Sequence, residues 1–329
     1  MGQKTVLSGM RPTGRLHLGH LSVLENWNKL QEEHYCYFMV ADWHALTTSF
    51  DEPSVLKENT REMVLDWLMV GLDPEKSVIF VQSQVKEHAE LHLLFSMFTP
   101  VSWLERCPTY KEQLQQFREL GKDVRTYGFL GYPLLQAADI LIYKADLVPV
   151  GEDQLPHLEM CREVARRFNY LYSTKLFPEP QAYLAEVALV PGIDGRKMSK
   201  SYSNEIPLAI SPKELEKKVK MMVTDPARIH PTDPGHPEVC TVFAFHRLFN
   251  RDQVDEVAES CRRGEIGCVP CKKKMTDVLT SFLTPYWERR TKLEKDPDFV
   301  WDVLKEGSQK ARLKAQETMT EVREAMGLY

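Results

Sequence analysis

Short apolar runs alternate with amphipathic stretches through the first two hundred residues of the chain. Runs of strand length occupy residues 4–9, 36–42, 77–83, 146–151 and 185–192. After the first run, Leu21, Leu24, Trp27 and Leu30 recur at helical spacing, and residues 54–74 carry another helical pattern. Strands that alternate with helices predict a parallel sheet with helices on both faces.

The alternation is interrupted once and then ends. Residues from about 84 to 145 have mainly helical patterns, as an insertion between two strands would. After Pro207 the strand signals mostly stop, and helical patterns continue toward residue 329. We therefore predict a doubly wound, Rossmann-like α/β domain over residues 1–203, with a helical insertion, followed by an α-helical domain over residues 204–329.

Composition supports this division and limits the classes of partner. The chain has 329 residues, more than one hydrophobic core usually supports. Its net charge of −5 excludes a cationic coat for nucleic acid, and no DNA partner is expected. Contacts with RNA would need local basic clusters, such as Arg262 with Arg263 and the three lysines at 272–274.

The cellular compartment can also be predicted from the sequence. No window approaches 18 apolar residues, so no membrane span is expected. The N-terminal segment becomes polar too quickly for a signal peptide. We expect a cytoplasmic protein, in which the seven cysteines would be mostly reduced and suited to metal or core roles rather than disulfides.

The segment SGMRPTGRLHLGH, residues 8–20, follows the first predicted strand. Doubly wound sheets bind ligands at this position, beside helix N-termini. Gly19 has no Cβ, so a planar base could approach the backbone there. His17 and His20 lie three residues apart on one helical face, where their imidazoles could donate hydrogen bonds to a phosphate. Taken alone, they could also be two surface histidines at a helix N-terminus.

A second polar segment, DGRKMSKSYSNE, follows the last predicted strand at residues 194–205. It places Arg196, Lys197 and Lys200 among small and polar side chains. Lysine is a compact and mobile cation, so two lysines on such a loop suit a leaving pyrophosphate. A solvated surface turn is the alternative interpretation.

Together, HLGH and KMSKS resemble the paired signature motifs of the class I aminoacyl-tRNA synthetases. The segments SGMRPTG, ADWHALTT, FLGYPLLQAADILIYKADLVPVGEDQ and EVREAMGL extend the likeness, nearly end to end, to bacterial-type tryptophanyl-tRNA synthetases. Such enzymes join L-tryptophan to ATP, giving tryptophanyl-adenylate and pyrophosphate, and then transfer the acyl group to tRNA(Trp). A tyrosyl-tRNA synthetase and a non-catalytic RNA-binding paralogue are the rival hypotheses.

The resemblance implies an ATP site with Mg2+ carried in by the nucleotide, because no dedicated protein cage for the ion is evident. The catalytic residues implied are His17, His20, Lys197 and Lys200. The ATP-binding residues implied are Arg11, Pro12, Thr13, Gly19, His20, Gly151, Glu152, Asp153, Val190, Lys197, Met198, Ser199, Lys200 and Ser201. The substrate carboxylate is itself the nucleophile in this reaction, so no nucleophilic side chain is needed.

The resemblance also implies that tryptophan is bound by Leu7, Tyr132, Gln136, Asp139 and Gln154. Asp139 would accept a hydrogen bond from the indole N–H, although a purely structural role in the core is the alternative. Tyr132, Gln136 and Asp139 also match the pattern with which tyrosyl enzymes hold tyrosine. Leu7 argues for tryptophan, because tyrosyl enzymes usually place a tyrosine at that position.

Four cysteines, Cys240, Cys261, Cys268 and Cys271, cluster in the second half of the chain with the spacing C-x20-C-x6-C-x2-C. Four thiolates suit either tetrahedral zinc or a [4Fe–4S] cluster. The pattern resembles an iron–sulfur subset of tryptophanyl-tRNA synthetases, whose cluster lies in the anticodon-binding domain. We therefore expect a [4Fe–4S] cluster ahead of zinc, with plain thiols as the third alternative, in the helical domain at residues 204–329.

The helical segment at residues 90–112 is apolar enough to suggest a subunit interface. The resemblance implies a homodimer in which one tRNA spans both subunits. An ordinary core helix is the alternative.

Overall fold

A five-stranded parallel sheet forms the centre of the first part of the protein. The computed structural model describes residues 2–119, 121–184 and 189–328. The strands are β1 (Thr5–Met10), β2 (Tyr35–Val40), β3 (Ser77–Val81), β4 (Leu147–Val150) and β5 (Gln181–Leu184). Their spatial order is β3-β2-β1-β4-β5, and each pair is parallel. The chain therefore leaves β1 toward both edges of the sheet, which confirms the doubly wound prediction.

The last strand was predicted over residues 185–192, of which residues 189–192 contain only an isolated bridge at Pro191. Residues 185–188 lie outside the described residues, and the strand that ends the sheet is β5, immediately before them. The sequence of β5, QAYL, is short and partly exposed, so it lacks the apolar run that marks β1, β2 and β3.

Helices cover the sheet and fill the insertion. In chain order they are α1 (Leu21–Glu33), α2 (Asp42–Ser49), α3 (Leu56–Val70), α4 (Glu87–Ser96), α5 (Val101–Glu105), α6 (Pro108–Glu119), α7 (Tyr127–Ile142) and α8 (Leu155–Leu171). Gly71, with φ of 126°, ends α3 where a side chain would be strained. Helices α4 to α7 lie between β3 and β4, so the predicted insertion is helical.

The described residues after β5 form five further α-helices, three short 3-10 turns and no strand beyond isolated bridges. They are α9 (Pro212–Met221), α10 (Thr241–Phe249), α11 (Val254–Arg262), α12 (Cys268–Leu293) and α13 (Phe299–Met326). Ser211 and Glu214 form a capping box that starts α9. Within the described part of the chain, we find no helix that has both the length and the apolar character needed to span a membrane.

The final helix, α13, returns to the sheet and packs against the edge strand β3. A Cβ added at Gly307 would lie 1.9 Å from the Ile79 carbonyl oxygen, so only glycine allows this approach. The Ser308 hydroxyl accepts a hydrogen bond from Val81 N–H at 3.2 Å. The C-terminal helix thereby covers part of the open edge of the sheet.

A buried ion-pair network joins α12 to α3 and to the segment after β1. Arg290 donates to Asp66 at 2.6 Å and to Glu62 at 2.7 Å. The second carboxylate oxygen of Asp66 accepts the backbone N–H of Leu16 at 2.6 Å. Leu16 precedes His17, so one arginine of the helical region is connected through Asp66 to the HLGH segment.

Candidate active site

The HLGH segment forms a short 3-10 turn, Leu18–His20, at the carboxyl end of β1. His17 Nδ1 accepts the Gly19 N–H at 3.1 Å, and His20 Nδ1 accepts the His17 N–H at 3.2 Å. Because both Nδ1 atoms accept, each neutral ring carries its proton on Nε2. Burial lowers the pKa of His17 to about 3 and that of His20 to about 4. Near pH 7 the two imidazoles are therefore neutral hydrogen-bond donors.

The KMSKS loop contacts the segment after β1. Lys200 Nζ donates to the Thr13 carbonyl at 2.7 Å, which joins residues 187 apart in the sequence. Burial lowers the pKa of Lys200. Met198 is buried beneath the loop, whereas Lys197 is exposed. The structure thus places the two segments that carry the resemblance side by side.

The loop also contains a short turn, Lys200–Tyr202, capped by its own serine. The Ser199 hydroxyl accepts the Ser201 N–H at 3.2 Å. Arg196 hydrogen-bonds Asp194 at 2.8 Å, and its guanidinium lies 4.5 Å from the centre of the Tyr202 ring. Arg196 is therefore engaged within the loop.

Asn204, which the sequence reasoning did not single out, holds the base of this loop. It is 1% exposed, accepts the Ser199 N–H at 2.8 Å and donates to the Lys197 carbonyl at 3.1 Å. A Cβ at Gly192 would lie 2.2 Å from the Asn204 amide nitrogen. A buried amide with several backbone partners fixes the shape of the loop. The polar sequence of the segment does not indicate that Asn204 holds the base of the loop.

A cavity of about 360 Å³ opens beside this region, at the carboxyl ends of β1 and β4. All five residues predicted to bind tryptophan line it: Leu7, Tyr132, Gln136, Asp139 and Gln154. Of the predicted ATP-binding residues, Arg11 and Gly151 line it as well. The cavity therefore brings the predicted tryptophan-binding residues together with two of the predicted ATP-binding residues.

Asp139 lines this cavity and is 1% exposed. Its carboxylate accepts hydrogen bonds from His44 Nε2 at 2.7 Å, His88 Nδ1 at 2.7 Å and Gln82 Nε2 at 2.8 Å. Burial raises its pKa, but the hydrogen bonds from the two histidines outweigh this effect and hold the pKa below its ordinary value. Asp139 is therefore an ionised acceptor.

Another chain of hydrogen bonds joins three further residues of the cavity lining. His157 Nε2 lies 2.9 Å from the Tyr132 hydroxyl, and His157 Nδ1 lies 2.9 Å from Gln154 Oε1. The Gln154 amide nitrogen donates to Asp153 at 2.8 Å. Burial lowers the pKa of His157 to about 4, so this ring is neutral near pH 7. With Nδ1–H donated to Gln154, Nε2 accepts the Tyr132 proton and leaves the phenol oxygen able to accept from a ligand.

The other predicted ATP-binding residues are not part of the cavity lining. Glu152 and Asp153 are exposed at the carboxyl end of β4, next to Gly151, where an added Cβ would meet Asp153 at 2.7 Å. Val190 is half-buried, and Pro12 is buried in the segment after β1.

The family becomes clear from comparison with known proteins. Residues 2–284 match the family model of "tRNA synthetases class I (W and Y)". The chain is 58% identical to a Thermotoga maritima protein described as a tryptophan–tRNA ligase, over 98% of this chain and 99% of that one. The chain belongs to the tryptophanyl branch of the class I tRNA synthetases.

Other members of the family give the same result. An Aquifex aeolicus protein described as a tryptophan–tRNA ligase is 48% identical over 98% of this chain and 99% of that one. A Campylobacter jejuni tryptophanyl-tRNA synthetase solved with ADP and tryptophan superposes with a TM-score of 0.89, at 34% identity over 98% and 100% of the two chains. The predicted Rossmann-like fold of this synthetase is confirmed.

The four cysteines of the synthetase lie on neighbouring helices but do not form a compact single-ion site. Cys240 precedes α10, Cys261 is in α11, and Cys268 and Cys271 begin α12. Burial raises the pKa of Cys271 to about 12, and the nearby charges of the other three thiols add to the shift. Across the described ranges, no three His, Cys, Asp or Glu side chains are placed to hold a metal ion. The expected metal site is therefore not shown.

Several side chains at the site escaped the sequence reasoning. His44 lies within ADWHALTT, a segment that carried the resemblance, but its partner Asp139 is 95 residues away. His157 follows the GEDQ segment by three residues and lies in α8, and its partner Tyr132 lies in α7. In both cases the hydrogen bond that reveals the role is formed only when distant helices pack together.

Proposed function

We infer that this synthetase activates L-tryptophan with ATP and transfers it to tRNA(Trp), which makes it a tryptophan–tRNA ligase. The main observation that supports this function is that Lys200 and the HLGH turn lie beside a cavity lined by Asp139 and Tyr132. The likeness to tryptophan–tRNA ligases along nearly the whole chain supports this function.

Positioning and charge stabilisation would supply the catalysis. The tryptophan carboxylate attacks the α-phosphorus of ATP, and pyrophosphate leaves. The Nε2–H groups of His17 and His20 donate to the phosphates without adding charge, whereas Lys197 and Lys200 neutralise the departing pyrophosphate. Mg2+ arrives with ATP and screens the same phosphates. Arg11 bounds this region from the cavity side.

The amino-acid cavity would orient tryptophan from both ends. The Tyr132 hydroxyl and the Gln154 carbonyl accept hydrogen bonds from the substrate ammonium group. Asp139 accepts the indole N–H, and a buried acceptor left without its donor costs about 1–3 kcal/mol, so phenylalanine is rejected. Leu7 and Gln136 line the cavity and would contact the tryptophan side chain.

Pyrophosphate exchange tests the function directly. The purified protein is incubated with ATP, Mg2+ and labelled pyrophosphate, in parallel with tryptophan and with tyrosine. We expect exchange that depends on tryptophan. Exchange only with tyrosine would assign the protein to tyrosyl activation, and no exchange with either would favour a non-catalytic RNA-binding protein.

We further propose that residues 204–329 bind the anticodon region of tRNA(Trp). Lys273 and Lys274 lie in the first turns of α12, next to the four cysteines, where they can contact phosphates. Arg262 and Arg263 are paired with Glu238 and Glu259 in the unbound protein. Replacing both lysines with alanine should weaken tRNA charging and leave pyrophosphate exchange unchanged.

The four cysteines are proposed to hold a [4Fe–4S] cluster. The support is the spacing C-x20-C-x6-C-x2-C, together with the position of the four cysteines at or near the ends of α10, α11 and α12, since four thiolates suit such a cluster. The bound cluster would contribute to the stability of helices α10 to α12. It would take part in no redox step of the reaction. Iron, acid-labile sulfide and zinc should be quantified after anaerobic purification; zinc alone, or no metal, would overturn the assignment.

A homodimer is also proposed, because apolar side chains are exposed along α4 and α5. The exposed fractions are 53% for Leu93, 68% for Met97 and 57% for Val101. Tyr127, in the same helical insertion, is 74% exposed. Light scattering after size exclusion should give twice the chain mass, and Met97→Glu should shift the protein toward monomer. A wild-type monomer would contradict the proposal.

A further inference from the structure

A chain of buried polar side chains supports Asp139 from behind the amino-acid cavity. His88 Nδ1 lies 2.7 Å from Asp139 Oδ1, and His88 Nε2 lies 2.8 Å from the Tyr143 hydroxyl. Gln82 also donates to Asp139 Oδ1. His88 and Gln82 are 0% exposed and Tyr143 is 1% exposed. Asp139 and His44 line the cavity, whereas these three supporting side chains lie outside its lining.

The direction of each hydrogen bond follows from the charge of Asp139. An ionised carboxylate can only accept, so His88 carries a proton on Nδ1. Burial holds the pKa of Tyr143 well above its ordinary value, so its hydroxyl keeps its proton. The Tyr143 O–H can then donate to His88 Nε2. The two hydrogen bonds therefore point the same way: Tyr143 donates to His88, and His88 donates to Asp139.

The acceptor sites of Asp139 leave one place for a ligand. A carboxylate has about four lone-pair sites. His88 and Gln82 occupy both sites on Oδ1, and His44 occupies one on Oδ2. Among the described residues, Oδ2 therefore accepts one hydrogen bond and has one lone pair left for a ligand. A ligand that carries a single N–H at this depth matches it.

We propose that His88 and Tyr143 form a positioning relay that fixes the carboxylate of Asp139 so that its last acceptor site faces the indole N–H. The proposal rests on the tryptophan site described above and adds two residues that touch neither substrate. Neither residue is a catalytic residue. The relay acts through Asp139, by setting its charge and orientation before the substrate binds.

The test compares tryptophan with β-(3-benzothienyl)-L-alanine, in which sulfur replaces the indole N–H. Tyr143→Phe removes only the hydroxyl of the relay. Tyr37→Phe is the matched control, because Tyr37 stacks on Tyr143 at 4.5 Å without belonging to the relay. Pyrophosphate exchange gives kcat/KM for both substrates in each variant, and melting temperatures report folding.

We expect Tyr143→Phe to lower the preference for tryptophan over the analogue by about fivefold, because one supporting hydrogen bond is lost. The change should be in KM for tryptophan, with kcat nearly unchanged, and Tyr37→Phe should keep the wild-type preference. An equal loss for both substrates, or an unchanged preference, would overturn the relay. Should Tyr143→Phe fail to fold, His88→Gln tests the same ratio. A wild-type protein without tryptophan-dependent exchange would instead refute the proposed function.

Discussion

Arg290 should contribute more to stability than any surface ion pair of this protein. Its guanidinium donates to Asp66, which is fully buried, to Glu62, which is 8% exposed, and to Glu294. Arg290→Met leaves two buried carboxylates without this cation. Breaking a buried pair in this way costs about 3–5 kcal/mol. Arg15 still hydrogen-bonds Glu62 at 2.6 Å, so the loss falls mainly on Asp66, whose pKa burial already raises to about 6 with Arg290 in place.

The assay is equilibrium unfolding in urea, followed by far-UV circular dichroism and by tryptophan fluorescence. Coincident transitions are needed before a free energy of unfolding is assigned. Glu294→Gln is the matched control, because the Glu294 side chain is 43% exposed and its pair should contribute at most about 1 kcal/mol. Adding Asp66→Asn to Arg290→Met should recover much of the loss, since asparagine is neutral and still accepts the Leu16 N–H.

The same variant has a functional readout. Asp66 holds the backbone directly before His17, so Arg290→Met should raise KM for ATP more than KM for tryptophan in pyrophosphate exchange. An Arg290→Met protein that loses no more stability than Glu294→Gln would refute the reasoning. It would mean that the carboxylates are protonated or hydrated once the arginine is absent.

Three further predictions follow from other parts of the molecule. Lys200→Ala should slow adenylate formation by about 10²–10³-fold with little change in tryptophan affinity; a wild-type exchange rate would exclude Lys200 from catalysis. Gly307→Ala should destabilise the protein by about 1–3 kcal/mol in thermal or urea unfolding, because its Cβ would meet the Ile79 carbonyl. Gly128→Ala, whose Cβ meets its nearest neighbour only at 3.9 Å, should not. The pKa values of about 3 for His17 and about 4 for His20 predict no inflection from these residues in kcat/KM for ATP between about pH 5 and 7. An inflection near pH 6.5 in kcat/KM for ATP that disappears in His20→Asn would contradict this prediction. The contribution of the two histidines to stability should decline as pH falls below about 6.5, because the histidines of the unfolded chain take up protons first.

The parts of the fold that could be predicted are those with local signals. The strands β1, β2 and β3 are continuous apolar runs, because both faces of this sheet are covered. The sequence placed the HLGH and KMSKS segments after strands of one parallel sheet, whereas the contact between Lys200 and Thr13 is seen only in the structure. Strand β5 escaped prediction because its four residues are partly exposed and polar at one end.

The supporting residues of the site could not be predicted for a different reason. His88 and Asp139 are 51 residues apart, and neither segment is unusual in composition. Asn204 looks like any polar loop residue until its burial against Gly192 is known. The resemblance named the residues expected to touch substrates, whereas the groups that orient them depend on packing between distant helices. The domain boundary at residue 203 stays a prediction.

The return of α13 to β3 has a consequence for synthesis of the chain on the ribosome. Ser308 and Val81 are 227 residues apart, so the sheet edge is made long before the helix that covers it. Until α13 emerges, the nascent first domain keeps an open strand edge and an apolar surface on which Ala311, Ala315 and Met319 will later pack. A chain that stalls or is truncated before residue 299 therefore has no means of closing that edge, whatever the state of its active-site residues.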